Sequence, residues 1–185
     1  MFPVLDLMRL GVLNADFAVQ LSKNIPLLDE LPKKIISQNT GASQMLVLRL
    51  LSNIFGPLTN ELMAHKSSLV SLILNNMSKA KLNQVAASTV FLNYSIVVCD
   101  PGNGEWGSID AQTEILMAAV TMSEHLDEPE AIYRVLVCIG NILSGNPEMK
   151  ELFKSLNADG AIKKFTELQT VAKVKDCATQ LMSTL

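Results

Sequence analysis

Charged and aromatic residues are scarce in this chain. Only 18% of its 185 residues are charged and 5% are aromatic, with one Trp, two Tyr and six Phe, while 49% are hydrophobic. So apolar a composition excludes disorder, because folding can bury enough surface to offset the lost chain entropy. A net charge of -3 with a pI near 5.4 leaves no basic field of the kind that holds nucleic acid non-specifically.

Chemistry-bearing residues are equally sparse. His65 and His125 are isolated and lack the paired spacing of metal ligands, and no Ser, Cys, His and Asp arrangement gathers in one segment. Their spacing gives no sign of a metal, a cofactor or a catalytic centre, and leaves a Cys-His hydrolase assembled across distant helices as the alternative. Cys99, Cys138 and Cys177 are odd in number, widely spaced and set in apolar helical patterns, as expected of free buried thiols in a reducing compartment. The glycine-rich stretch Asp100 to Asp110, "DPGNGEWGSID", lacks both a GK[ST] ending and the ligand alternation of a calcium loop, and reads as a loop between helices. No apolar run reaches the roughly 20 residues that span a bilayer. The opening "MFPVLDLMRL" has no basic region before its apolar residues and carries Asp6 and Arg9 among them, unlike a secretory signal. The expectation is a soluble, monomeric, cytoplasmic or nuclear protein with no membrane and no nucleic-acid partner.

Strand signals are missing as well; helical periodicity dominates. Helices are predicted over Pro3–Leu10 and Ala15–Ser22. Another is predicted from Pro26 with a break near Pro32. Further helices follow in "SQMLVLRLLSNIF", "LTNELMAHK" and "SSLVSLILNNM", and over Lys81–Val98, Asp110–His125 and Pro129–Leu143. "EMKELFKSL", "DGAIKKFTEL" and Val171–Leu185 complete the set. Superposing the asparagines of "LLSNIF", "VFLNYS" and "CIGNIL" reveals a repeat carrying Asn53, Asn93 and Asn141, spaced 40 and then 48 residues apart. The pattern predicts an all-α, armadillo-like helical repeat solenoid in a single domain, 1–185, with an irregular helical bundle as the alternative.

Each repeat carries polar residues on an otherwise apolar helix. Arg49, Ser52, Asn53 and Gly56 fall at i, i+3, i+4 and i+7, on one face. Arg134, Cys138 and Asn141 follow at i, i+4 and i+7, and Thr89 and Asn93 at i and i+4. An asparagine amide both donates and accepts, so a ladder of them could hold an extended peptide backbone, or bridge helices internally. Arg9 has Asp6 three residues before it and Arg134 has Glu130 four before it, ordinary helix pairs; Arg49 has no acidic residue at such spacing. Tyr94 and Tyr133 adjoin these positions and could stack on a ligand aromatic.

The segments "FPVLDLMRL", "QMLVLRLLSNIFG", "AASTVFLNYSI", "EAIYRVLVCIGNILSGN" and "AKVKDCATQLMSTL" together resemble the PUL domain, an armadillo-like domain found at the C-terminus of phospholipase-activating protein in the ubiquitin pathway. The resemblance covers essentially the whole chain. It implies binding rather than catalysis: an adaptor domain that holds the acidic C-terminal tail of valosin-containing protein, a hexameric AAA ATPase, in a basic concave groove. Arg9 and Arg134 fall on the family's groove arginines by motif, with Arg49, Asn53, Asn93 and Asn141 on adjoining groove positions. It further implies a domain excised from a larger multidomain protein. The alternative is an architectural repeat that supports an attached thioredoxin-like or desumoylating-peptidase domain and binds no tail.

Overall fold

The computed structural model describes residues 2–24, 26, 28–38, 41–167 and 171–185, without the side chains of Asn24 and Glu105. Among the described residues there are twelve α-helices and no strand, the all-α helical repeat expected. The chain divides into two compact units, residues 1–90 and 91–185.

The first unit contains α1 (Phe2–Gly11), α2 (Ala15–Asn24), α3 (Glu30–Ile36), α4 (Gly41–Asn53), α5 (Thr59–Ala64), α6 (Lys66–Asn75) and the first half of α7 (Lys81–Cys99). α4 is the hub, packed on α1 and α3. Its Leu46, Val47, Leu48, Leu50 and Leu51 are all buried, as the "LVLRLL" pattern requires. Two buried amides lock the register of this unit. Gln44 Nε2 donates to the Asn76 carbonyl at 2.8 Å, and Asn83 Nδ2 donates to Gln44 Oε1 at 2.6 Å. An amide left buried without such partners would cost about 1–3 kcal/mol. Gly11, the last residue of α1, leaves room for Phe17: a Cβ there would lie 2.5 Å from the ring.

Pro32 produces no break. It is the third residue of α3, in the first turn, where a backbone N–H has no partner within the helix to lose. Leu27 and Leu168, within two of the predicted segments, lie outside the described residues.

The second unit continues with the rest of α7, a 3-10 segment (Pro101–Gly107), α8 (Ile109–His125), α9 (Pro129–Leu143), α10 (Pro147–Ser155), α11 (Asp159–Thr166) and α12 (Ala172–Thr184). α9 packs on α8 and α12, and α11 on α12. Pro129 opens α9, where its fixed φ suits the first helical position. Ala131, Ile132, Val135, Leu136, Ile139, Ile142 and Leu143 make one buried face. Ser108 caps α8 by accepting from Ala111 N, and Asn146 caps α10 by accepting from Met149 N. The "DPGNGEWGS" stretch is a short 3-10 turn rather than an open loop, with Gly104 at φ 53°, a left-handed conformation that favours glycine.

α7 is 19 residues long and apolar enough on average to pass as a membrane span, although no uninterrupted apolar run suggested it. Most of it is packed inside protein, including the polar Asn83, Gln84, Ser88 and Ser95, as in the core helix of a globular fold.

All three cysteines are free. Cys138 is wholly buried and donates to the Phe91 carbonyl at 3.4 Å; burial pushes its thiol pKa up to about 12. Cys99 and Cys177 are half-buried, and burial raises both, offset at Cys177 by the nearby Lys173 ammonium. Since the thiolate is the nucleophile, Cys138 is expected to react with iodoacetamide at pH 7.5 at least about ten-fold more slowly than Cys99 and Cys177, and to catch up only in denaturant. Peptide-resolved mass spectrometry over a labelling time course checks this; equal rates would contradict the burial.

Candidate functional site

In the first unit the candidate residues gather around α4. Asn53, its last residue, donates from Nδ2 to the Arg9 carbonyl at 2.8 Å and ties the end of α4 to α1. The Arg9 guanidinium turns back along its own helix, donating from Nε and Nη2 to Asp6 Oδ1 at 3.0 and 2.8 Å. Ser52 donates to the Leu48 carbonyl one turn back, the usual way for a helical hydroxyl to satisfy itself.

Arg49 stands apart. It is half-buried, and among the described residues its guanidinium has neither a carboxylate in ion-pair range nor a hydrogen-bond partner. Partial burial of an uncompensated cation weakens its hydration, which makes an incoming carboxylate more favourable than it would be at an open surface.

In the second unit Asn141 donates from Nδ2 to Ser95 Oγ at 3.1 Å, linking α9 to α7. It also borders two open depressions of about 590 and 380 Å³, the first shared with Gln112 and Asn146 and the second with Lys150, Gln180 and Thr184. Among the described residues Asn53 and Asn141 thus each spend one amide N–H internally and keep the second, and the side-chain carbonyl, for other partners. Asn93 is half-buried and also engaged within the protein.

Arg134 donates from Nε to Glu130 Oε1 at 3.0 Å, one turn earlier on α9. Lys173 of α12 approaches the other oxygen of that carboxylate at 3.6 Å and sits 3.6 Å from the centroid of the Tyr133 ring. The Arg134 hydrogen bond, with help from both positive charges, holds the Glu130 carboxyl below the ordinary carboxylate range.

Two sequence expectations need correction. Cys138 does not belong to a polar face: it lies on the inner side of α9, where its small thiol fills space against the Phe91 backbone. Tyr94 cannot stack on a ligand, because its ring is fully buried. Tyr133 remains half-buried, but Lys173 occupies a face of its ring. Lys173 itself was not foreseen. It lies 39 residues beyond Arg134, in the closing helix α12, and no local spacing links the two.

The six candidates divide equally between the units: Arg9, Arg49 and Asn53 in the first, and Asn93, Arg134 and Asn141 in the second. Among the described residues no group of three or more His, Cys, Asp or Glu could hold a metal ion.

The family model described as PUL domain matches residues 1–180. Phospholipase A-2-activating protein of Xenopus laevis is similar to the chain, 27% identical over 190 residues that take in 100% of this chain and 23% of that protein. The chain therefore spans about a quarter of the length of this curated relative.

Proposed function

The chain belongs to the PUL domain family, a family of protein-interaction domains, and from that premise we propose that it binds the acidic C-terminal tail of valosin-containing protein as a non-catalytic adaptor of ubiquitin-dependent degradation, in the cytoplasm or nucleus, as one part of a larger protein. Arginines of either unit meet carboxylates of the tail, and the asparagine amides hold its backbone. The planar fork of arginine suits a carboxylate because it can donate two parallel bonds to it.

The observation that carries this reading is Arg49, a half-buried cation whose carboxylate is not supplied by the described residues. Arg9 and Arg134 already hold carboxylates of their own helices. These pairs are half-exposed and weak, on the order of 0.2–1 kcal/mol each, so a ligand carboxylate can replace them. Ordering a disordered tail costs entropy, which sets the expected affinity on the order of micromolar, falling as salt rises.

Calorimetry with a synthetic tail peptide tests the reading. Arg9→Ala combined with Arg134→Ala is expected to weaken binding by about ten-fold or more, with the circular dichroism spectrum unchanged. Unaltered affinity in a folded double variant would refute it. A second reading, an architectural repeat that supports an attached domain, is favoured by the internal bonds of Asn53 and Asn141; it predicts no binding by the wild-type domain.

A further inference from the structure

Glu130 meets two cations from two helices. Arg134 Nε donates to its Oε1 at 3.0 Å, and Lys173 Nζ lies 3.6 Å from its Oε2. All three side chains remain reachable from solvent, at 28% exposure for Arg134, 43% for Glu130 and 55% for Lys173. Two positive charges share one negative charge, beside the face of Tyr133 that Lys173 covers. A peptide carboxylate approaching Arg134 therefore finds another carboxylate already in place, in the position a ligand oxygen would take.

We propose that Glu130 is a built-in competitor for acidic ligands, and that Lys173 works with Arg134 as a second anion-binding cation whose access Glu130 controls. The proposal rests on the acidic-tail reading above and adds to it what sets the acidity the site demands. A peptide with one carboxylate merely exchanges with Glu130, whose own charge then repels it from close by. A peptide with several can engage Arg134 and Lys173 together and displace Glu130 into solvent. Weak, half-exposed pairs permit that exchange, and like-charge juxtaposition penalises ligands too poor in charge to complete it. The ammonium of Lys173, held over Tyr133, stays near Arg134 when Glu130 leaves, so the two cations are presented as a pair.

Glu130→Gln separates charge from shape: the amide still accepts from Arg134 but removes the negative charge that Arg134 and Lys173 share. Two labelled peptides, the acidic tail and a counterpart with every Asp and Glu replaced by Asn and Gln, are titrated in fluorescence anisotropy against the wild-type chain, Glu130→Gln and Lys173→Gln. Glu130→Gln is expected to tighten the acidic peptide about three- to ten-fold and to leave the neutral peptide within about two-fold, while Lys173→Gln weakens the acidic peptide about three-fold. If the wild type binds the acidic peptide but Glu130→Gln leaves its affinity unchanged, weakens it, or tightens both peptides alike, the competitor role is overturned and tail binding stands. If the wild type binds neither peptide, the tail-binding reading fails first and takes this one with it. Should Glu130→Gln not fold, Lys173→Gln decides alone, at an exposed position, and unchanged affinity there overturns the proposal.

Discussion

Tyr94→Ala is expected to lower the free energy of unfolding by about 3–5 kcal/mol, the range found when large aromatic side chains are deleted from cores. That is a large share of the roughly 5–15 kcal/mol that stabilises a typical domain. The ring is fully buried, among the largest such side chains in the protein, so its removal leaves a cavity lined by neighbours that can relax only in part. Tyr94→Phe preserves the ring and is expected to cost only about 1 kcal/mol. Burial also raises the Tyr94 phenol well above its ordinary pKa of 10.0. The sign follows: between the unfolded and folded pKa values the folded state binds more protons, so stability contributed by the neutral phenol is complete below pH 10 and is lost as pH rises beyond it. Urea denaturation from pH 8 to 11.5 should therefore show the wild type losing stability faster than Tyr94→Phe at the alkaline end. A wild type that gains on the Phe variant there, or an alanine variant within about 1 kcal/mol of wild type, would mean that the ring is not a core element.

Tyr94 also marks where sequence reading succeeds and where it stops. Helix positions were legible because the breakers and caps act locally: Pro129 and the turn after Leu143 fix α9 at its predicted bounds, and the Lys81 start of α7 is likewise read from the residues around it. Pro32 misled because a proline in the first turn of a helix and one that ends a helix look alike until the start of the helix is known. Burial is a different matter. On α7 the unburied residues Val85, Thr89, Leu92, Asn93 and Ile96 recur at three- and four-residue spacing, but apolar and polar side chains fall on both faces, so composition did not say which face is inner and Tyr94 could be assigned to either. The candidate residues show the same divide. That Arg9 pairs with Asp6 and Arg134 with Glu130 was visible at spacings of three and four. That Asn53 donates to the Arg9 carbonyl 44 residues away, or that Lys173 joins Glu130 from α12, depends on how helices pack, and no single stretch of sequence encodes it.

The largest functional effect is expected at Arg49. Charge reversal, Arg49→Glu, should weaken the acidic tail by about a hundred-fold, because it removes a favourable charge and adds a repulsive one at a half-buried position where solvent screens poorly. Arg49→Met should weaken it by about ten-fold and at the same time leave the fold unharmed or stabilise it by up to about 1 kcal/mol. The reason is that Met keeps an apolar stem at this half-buried position while discarding a charge for which the described residues offer no counter-ion. Opposite effects on binding and stability are what distinguish a residue kept for a ligand from one kept for the fold, since a site held ready for a partner is commonly maintained at some cost in stability. Calorimetry of peptide binding and urea denaturation on the same preparations give both quantities. If Arg49→Met destabilises by more than about 2 kcal/mol and binds the tail as the wild type does, the guanidinium serves the interior of the protein. If binding falls while stability holds or rises, Arg49 is kept for an external carboxylate.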